Sequence, residues 1–505
     1  MPIERPLGRD QPGAVAIQPD GKIIATAVHE YALDPDWEFV AQEHEIWRFL
    51  GDGQPDPAFG TLGRVVLPAT LRVGRPDAIH VDDLGRILVG GSCAGVPIDL
   101  GDVYVARLMP DGQLDATFNG TGVAHATNTG NGWDTFGDMA VGPDGSIVVG
   151  GATRLLGGYR NSLLFKFDLN GTLDPMFGTG GVLAQSFSAG HDQISGVRVR
   201  NDGSIVVAGS YWIPQTNDGL FLRAFDTQGV QDVTFGELPG VTQITHATQG
   251  IVVNAVDLDP SGRPVTVSYL SITSQDLTAV ERAVVHRFTV NGLIDATFGV
   301  DGAREIVFGA ADRCRGMDLT AAIDGSIYAV ATTSFGSGYG VAHLLADGTI
   351  DADFGSPSPA HIASIVPVDG ARANISTQPD GHVVVLGGTP NPDSLWVSDI
   401  VLFRLDESFL SGVEDNSERL IGSIAYPVPI TPETVLQVNR EHSGATNLRF
   451  LDILGSDVLT PALYQTGLRR EEQIGLPDLV SLPTGVYQLV VTSASAREVI
   501  HVLVQ

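Results

Sequence analysis

A sevenfold internal repeat constrains this sequence more than any other feature. A Gly-bearing turn followed by a short apolar segment recurs at intervals of 56 to 64 residues. Its turn glycines are Gly21, Gly85, Gly145, Gly203, Gly262, Gly325 and Gly381. A second motif, Gly-x-x-Asp-x-x-Phe, lies between successive copies of the first and recurs six times; we write it GxLDxxFG after its third copy. Two different motifs that keep phase through so many copies indicate that one structural unit is repeated along the chain.

Each unit predicts four short strands. In the second unit these are Asp77–Asp82, Arg86–Gly91, Val103–Met109 and Gly122–Thr127, and a tight hairpin-type turn joins the first two. Helical periodicity is missing. Seven such units are typical of a seven-bladed β-propeller with four-stranded blades, so the fold class is all-β. Because the seventh unit lacks a fourth strand, we predict that residues 2–7 pair into the last blade and close the ring.

The repeats end near Gly412, which predicts a propeller over residues 1–412. Residues 413–419 then read as a linker, and residues 420–505 as a separate, small Ig-like β-sandwich. Its predicted strands include Val435–Asn439, Leu448–Ile453, Val486–Thr492 and Val499–Val504.

Charge and composition exclude several classes of protein. Asp and Glu number 59 against 29 Lys and Arg, and the formal net charge of −30 would repel nucleic acid. No apolar run reaches 18 residues, so no transmembrane segment is predicted. The two cysteines, Cys93 and Cys314, are interpreted as buried thiols rather than a disulfide framework. We expect a monomer.

The propeller units resemble the delta-60 repeat family. The shared pattern is the DG turn, the strand that ends in GG and the GxLDxxFG motif, and it covers roughly residues 10–405. The resemblance implies the propeller fold. It implies no particular activity, because the family carries none that is settled.

The C-terminal segment resembles the sorting domain of the type IX secretion system. The matching pieces are AYPVP at 425–429, DILG at 452–455, LPTGVYQLVV at 482–491 and the closing strand at 499–505. The resemblance implies export through that secretion machinery to the cell surface or the medium, often with removal of the tail. The start, MPIERPLGRDQPG, lacks a signal peptide. Either a leader precedes this chain or the tail is not used for export.

The aspartates and phenylalanines of the GxLDxxFG motif have two interpretations. They are Asp56, Phe59, Asp115, Phe118, Asp174, Phe177, Asp232, Phe235, Asp295, Phe298, Asp351 and Phe354. The structural interpretation is that each Asp caps a short turn while each Phe plugs the space between blades. Calcium is the weaker alternative, because most units offer one Asp where Ca²⁺ takes six to eight oxygens. DLNGTLD, with Asp168, Asn170 and Asp174, comes nearest to a calcium loop. No other cofactor is indicated.

Recognition is predicted on the opposite face of the ring. Alternating strands put both repeated turns on one face and the variable connections on the other, where binding residues concentrate. Tryptophans in polar connections offer flat apolar surfaces suited to sugars or extended peptides. The candidate ligand-binding residues are Trp37, Trp133, Trp212, Trp396, His191, His246, Asp134 and Asp192. A polar ring at the channel mouth is also predicted, from Asp77, Asp138, Ser195, Asn254 and Asn374.

The sequence favours a secreted or cell-surface binding or adhesion module for extracellular polysaccharide or protein. Enzyme motifs such as HExxH, GxSxG or Cys/His zinc spacing are absent. The alternative is an extracellular glycan-degrading enzyme, a hydrolase or lyase, whose catalytic residues come from several blades at the variable face.

Overall fold

The repeated glycines form tight hairpin turns that start each blade of a β-propeller. Gly85 and Gly145, for example, have φ of +74° and +78°, a region that glycine enters without a steric penalty. In this computed structural model the described residues of the propeller are 8–32, 40–51, 53–68, 71, 74–94, 101–128, 132–155, 158–213, 218–246, 249–271, 281–308, 314–333, 338–354, 360–362, 372–379, 381–390 and 398–405. Beyond residue 412 the structure describes seven strands.

Seven antiparallel sheets form the blades, which confirms the predicted seven-bladed propeller of four-stranded blades. Blade 1 contains β1 (Gly8–Ile17), β2 (Ile23–Ala32), β3 (Val40–Phe49) and β4 (Arg64–Val66). Blade 2 contains β5 (Pro76–Val81), β6 (Ile87–Ala94), β7 (Gly101–Leu108) and β8 (Val123–Ala126). Blade 3 contains β9 (Gly132–Val141), β10 (Ile147–Leu155), β11 (Arg160–Phe167) and β12 (Val182–Gln185).

The remaining blades repeat this order along the chain. Blade 4 contains β13 (His191–Val199), β14 (Ile205–Trp212), β15 (Gly219–Phe225) and β16 (Thr242–Thr245). Blade 5 contains β17 (Gly250–Leu258), β18 (Pro264–Ser271), β19 (Arg282–Arg287) and β20 (Ala303–Ile306). Blade 6 contains β21 (Cys314–Ala321), β22 (Ile327–Thr333), β23 (Gly338–Leu344) and β24 (Ala360–Ile362). Blade 7 has three described strands, β25 (Asn374–Thr377), β26 (Val383–Pro390) and β27 (Ser398–Leu405).

The hydrophobic core lies between blades rather than within them. Val105 and Leu88 of blade 2 pack with Val149 and Phe165 of blade 3 in one cluster, and further clusters join other neighbouring pairs. Each sheet therefore buries both faces, as the mostly apolar runs of its central strands predict. Cys93 and Cys314 are buried free thiols.

Blade 7 and blade 1 close the ring by direct packing. Val384 and Leu386 share a cluster with Ile23 and Ala25. The side-chain amide of Asn374 also donates to the carbonyl oxygen of Gly13. The prediction that residues 2–7 add a closing strand lies outside the described residues.

The motif Asp and Phe, together with a basic residue that precedes them, form a contact between neighbouring blades. We call this contact the latch. In blade 2, Arg107 Nε donates to Asp115 Oδ2 at 2.8 Å, and Arg107 Nη1 donates to the carbonyl oxygen of Leu169 in blade 3 at 2.6 Å. The guanidinium carbon also lies 4.6 Å from the centroid of the Phe118 ring. A basic residue stands eight positions before the motif Asp in five units, as Arg48, Arg107, Lys166, Arg287 and His343.

In blade 4 the basic residue of the latch comes from a different position in the sequence. Ala224 occupies the position eight residues before Asp232. Arg200, at the first hairpin turn of that blade, instead donates to the carbonyl oxygen of Val290 in blade 5 at 2.6 Å and lies 5.7 Å from the centroid of the Phe235 ring. The six motif phenylalanines are at most 2% exposed. Phenylalanine burial is thus common to all six units, whereas the source of the cation varies.

Residues 413–505 form a second compact unit. A five-stranded sheet has the order β28 (Val428–Ile430), β34 (Arg497–Val504), β33 (Gly485–Thr492), β30 (Gly444–Leu451) and β31 (Ala462–Thr466). A two-stranded sheet pairs β29 (Val435–Val438) with β32 (Glu472–Gly475). An Ig-like sandwich in this segment stays a prediction. Among all described residues, no helix has the length and apolar character needed to span a membrane.

Candidate functional site

Three aromatic side chains stand out on the surface of the propeller. Among the described residues, Trp133 (55% exposed), Tyr159 (50%) and Trp212 (46%) are the strongly exposed aromatic residues. All three lie on blades 3 and 4, at the strand ends that face the variable connections. Trp133 and Trp212 are strand residues, so their assignment to connections was wrong in detail. Exposure of several large aromatic rings in one region is typical of a binding surface.

Strand register aligns two arginines with Trp133. Trp133 on β9 is directly opposite Arg154 on β10, which is directly opposite Arg160 on β11. Both arginines are exposed. The Trp133 indole itself lies against Gly101 of blade 2, where an added Cβ would come within 2.8 Å of Nε1. Trp133 therefore lies at the blade 2 end of this group of side chains.

His191, the first residue of β13 in blade 4, contacts blade 3 beside Arg160. Its Nδ1 accepts a hydrogen bond from the backbone N–H of Arg160 at 3.0 Å. Its ring stacks on Trp212, with centroids 5.1 Å apart, and meets Tyr159 edge-on at 5.0 Å. Burial, together with the nearby Arg160 and Arg154 guanidinium groups, lowers the pKa of His191. The lowered pKa favours the neutral form of His191, and that form carries its proton on Nε2 because Nδ1 is an acceptor.

Tyr159, Arg160, His191 and Trp212 are linked by contacts, and strand register places Arg154 and Trp133 beside Arg160, so we name these six residues the aromatic–arginine rim. Its residues are Trp133, Arg154, Tyr159, Arg160, His191 and Trp212. The sequence predicted three of them and missed Arg154, Tyr159 and Arg160. The available signal was their position at the ends of the second and third strands of unit 3, where the variable face begins.

Asp134 and Asp192 have a structural role rather than a place on the surface. Their exposures are 0% and 1%. Asp192 accepts the backbone N–H groups of Ser162 at 2.7 Å and Phe187 at 3.0 Å, and Asp134 accepts that of Asn128 at 2.6 Å. Both carboxylates fix the connection that enters their blade, so the prediction that they bind ligand is replaced by this structural assignment.

Of the other predicted ligand-binding residues, the structure describes His246. His246 follows β16 and accepts the backbone N–H of Gln249 at 3.2 Å, within the connection to blade 5. Trp37 and Trp396 lie outside the described residues.

The predicted polar ring consists largely of connectors between blades. Asn254 on β17 donates to the carbonyl oxygen of Gly316 in blade 6 at 2.6 Å, and Asn374 makes the equivalent bond to blade 1. Asp77 on β5 lies 3.1 Å from Arg372, which precedes β25. Ser195 occupies the β-bulge of β13. These contacts explain polar residues at the innermost strands without a ligand.

Asp138 belongs to a charged cluster on the innermost strands of blades 3 to 6. Arg198 on β13 lies 2.8 Å from Asp138 and 3.0 Å from Asp257 on β17. Burial lowers the pKa of Arg198, but these two carboxylates outweigh it and raise the pKa overall. Asp318 on β21 accepts the backbone N–H groups of Leu319 and of Ile375 in blade 7. Burial raises its pKa to about 7.

The described residues provide no metal centre. Among them, no group of three or more His, Cys, Asp or Glu is placed to hold a metal ion. In the DLNGTLD loop, Asp168 Oδ1 accepts the backbone N–H groups of Asn170 and Thr172, each at 2.9 Å. Asp174 pairs with Lys166 at 3.1 Å. This loop is a capped turn plus an ion pair, and calcium binding stays a prediction without structural support here.

One protein-family comparison matches the repeats. A domain of unknown function (DUF5122) described as a beta-propeller matches residues 85–118 and 142–177. Each stretch runs from near the first hairpin turn of its blade to the motif phenylalanine, Phe118 or Phe177. The match supports a β-propeller repeat family. It does not reach the segment that resembles a sorting domain.

Solved structures with related folds are distant. A polysaccharide lyase of family PL25, an ulvan lyase, has 12% identity and a TM-score of 0.46, covering 80% of this chain and 97% of that chain. The beta-propeller domain of the trilobed protease from Pyrococcus furiosus has 10% identity and a TM-score of 0.40, covering 81% and 99%. A protein of unknown function from Dyadobacter fermentans has 12% identity and a TM-score of 0.36, covering 79% and 96%. No curated protein matches the chain.

Proposed function

We propose that this protein is a non-catalytic module that binds an extracellular polysaccharide at the aromatic–arginine rim. The observation that supports this proposal is that the strongly exposed aromatic residues of the described chain, Trp133, Tyr159 and Trp212, all belong to that rim. An indole presents a flat apolar face to the C–H side of a sugar ring. The Nε2–H of His191 and the two guanidinium groups add hydrogen-bond donors beside these faces.

Buried carboxylates and strand pairing also fix the backbone next to the rim residues. Asp192 holds the backbone of Ser162, which follows the rim segment of β11, and Asp134 directly follows Trp133 on β9. Side chains carried on paired strands are fixed more closely than side chains on free connections, so they lose less conformational entropy when they bind.

A glycan array probed with the full chain tests the proposal. We expect binding that the double variant Trp133→Ala/Trp212→Ala reduces by at least tenfold, which corresponds to about 1.4 kcal/mol. Met176→Ala is the matched control, because Met176 is 68% exposed on the opposite, turn face of blade 3. Equal binding by all three proteins would contradict the proposal.

The same assay separates binding from catalysis. The alternative hypothesis of a glycan hydrolase or lyase predicts that bound polysaccharide shortens with time. Size-exclusion chromatography of the polysaccharide after incubation measures this directly. Unchanged chain length supports a binding module, whereas shortening that Trp133→Ala/Trp212→Ala abolishes would establish the enzyme. Parallel samples with calcium and with a chelator show whether a cation contributes.

We further propose that residues 413–505 direct export to the cell surface or medium. The support is the sequence resemblance to a type IX sorting domain, together with the separation of this segment into its own compact unit. Expression of the full chain and of residues 1–412 in a host with that machinery tests it, with surface protease accessibility as the readout. Surface exposure of both versions would contradict the proposal.

A further inference from the structure

Within the part of the chain that the structure describes, the two arginines of the rim have no acidic partner, although the chain is strongly acidic. Asp and Glu outnumber Lys and Arg 59 to 29. Most described arginines near the blade contacts are paired, as Arg107 is with Asp115 and Arg287 with Asp295. Among the described residues, no carboxylate lies within ion-pair distance of Arg154 or Arg160.

The two unpaired cations are also adjacent. Arg154 and Arg160 are directly opposite each other on neighbouring antiparallel strands. Like charges at directly opposite positions destabilise a strand pair. The hydrogen bond that Arg160 Nη1 donates to Gln193 Oε1 at 3.3 Å adds no negative charge. An anion at this position would relieve the repulsion between them.

The two acidic residues adjacent in sequence to Trp133 and His191 cannot supply that anion. Asp134 and Asp192 are buried, and their carboxylates accept backbone N–H groups of the blade connections. His191 carries no negative charge in either protonation state, so it does not offset the charge either. The rim therefore carries two positive charges in a chain whose net charge is strongly negative.

From this arrangement, and resting on the proposed function, we propose that the ligand is an acidic polysaccharide whose carboxylate or sulfate groups bind Arg154 and Arg160. A guanidinium group matches the planar, bidentate geometry of such oxyanions. The two strand steps from Trp133 through Arg154 to Arg160 span about 10 Å at about 4.8 Å per step. His191, which contacts Arg160, continues the surface to Trp212 in blade 4, so a glycan chain can contact residues of both blades.

The experiment measures binding of the purified full chain to polygalacturonate, dextran sulfate, unmodified dextran and polyglutamate by isothermal titration calorimetry, with a salt titration. We expect one or both acidic polysaccharides to bind, with affinity that falls as salt rises because added ions screen the attraction. Comparison of polygalacturonate with dextran sulfate shows whether carboxylate or sulfate is recognised.

Substitution of each arginine then tests whether these two side chains bind the anionic groups. Arg154→Gln and Arg160→Gln should each weaken binding to the acidic polysaccharide at least tenfold and flatten its salt dependence. Arg86→Gln is the control, because Arg86 forms a half-buried ion pair with Asp82 at the first hairpin turn of blade 2, on the turn face. Because the rim arginines are exposed, we expect neither substitution to change thermal unfolding, and this measurement verifies that the variants fold.

The other outcomes overturn the inference in distinguishable ways. Rim-dependent binding of dextran at equal strength would retain the proposed function and refute the acidic ligand. Arginine-dependent binding of polyglutamate alone would refute a polysaccharide and indicate an acidic peptide. Acidic polysaccharide binding that both Arg→Gln variants retain would place the site elsewhere. Binding of none of the four probes would refute the acidic ligand, and the glycan array then decides the proposed function separately.

Discussion

The latch between blades permits a quantitative test in which one chain provides both the variant and its control. Asp115 and Arg107 are both buried and lie 2.8 Å apart, so Asp115→Asn leaves the Arg107 cation without its counter-charge. Loss of one partner of a buried ion pair costs about 3–5 kcal/mol. The contacts that Arg107 keeps, to the Leu169 carbonyl and the Phe118 ring, place the expected cost near the lower limit, at about 3 kcal/mol.

Asp232→Asn is the control at the equivalent position of blade 4. Asp232 is exposed, and Ala224 stands where the other units have a base. The hydrogen bonds from the Thr234 hydroxyl and N–H lower the pKa of Asp232, and an asparagine oxygen can still accept from Thr234. We expect a change within about 0.5 kcal/mol, as for most surface substitutions.

Hydrogen exchange read by mass spectrometry measures both effects locally, because a chain of this size need not unfold in one step. A cost of about 3 kcal/mol should reduce protection of the β7 amides about a hundredfold in Asp115→Asn. Asp232→Asn should change protection of β15 by about twofold. Adding Arg107→Met to Asp115→Asn should restore protection, because it removes the uncompensated charge. Equal losses in the two single variants, or no recovery in the double variant, would refute the reasoning.

Two further predictions concern a glycine and the central channel. Gly171 has a φ of +84°, and a Cβ added there would lie 2.8 Å from the buried Phe118 ring, whereas Gly120 has a φ of +75° and open space around it. The midpoint temperature of thermal unfolding should therefore fall more in Gly171→Ala than in Gly120→Ala. Equal shifts would argue against the clash. For Asp318, burial raises the pKa to about 7, above an unfolded value of about 3.9, so the folded state holds the proton longer. Stability is therefore lost as the pH rises from about 4 to about 7, by at most about 4 kcal/mol. Urea unfolding of Asp318→Asn should show a flatter dependence between about pH 4 and about pH 7, and an unchanged dependence would contradict the assignment.

The blades were predictable because their signals are local. A glycine turn and an apolar segment determine each hairpin, and the predicted second unit differs from β5 to β8 by a few residues at the strand ends. Phe118 and its counterparts also recur at fixed spacing, so their shared role shows in the sequence alone. The base eight residues before the motif Asp recurs as well, but Arg200 shows that a base from another position can replace it.

The binding surface was only partly predictable, because it is assembled from two blades. Trp133 and Trp212 attract attention as tryptophans, but their relation depends on cross-strand register and on the contact between Arg160 and His191. Asp134 and Asp192 are polar residues in the variable region, as ligand-binding residues often are. Only the structure reveals that both are buried and accept hydrogen bonds from backbone N–H groups. A single sequence carries no signal for either fact.

The connectors on the innermost strands share one direction around the ring. Asp138, Asp257 and Asp318 each accept a backbone N–H from the blade that follows, and Asn254 and Asn374 each donate to a carbonyl of the blade that follows. Arg107 and Lys166 reach forward in the same sense. A whole repeat copied within the gene would thus carry a fitting partner for the unit before it and for the unit after it. Duplication can lengthen such an array without new contacts having to evolve, so the number of blades is limited by the geometry of closing a circle.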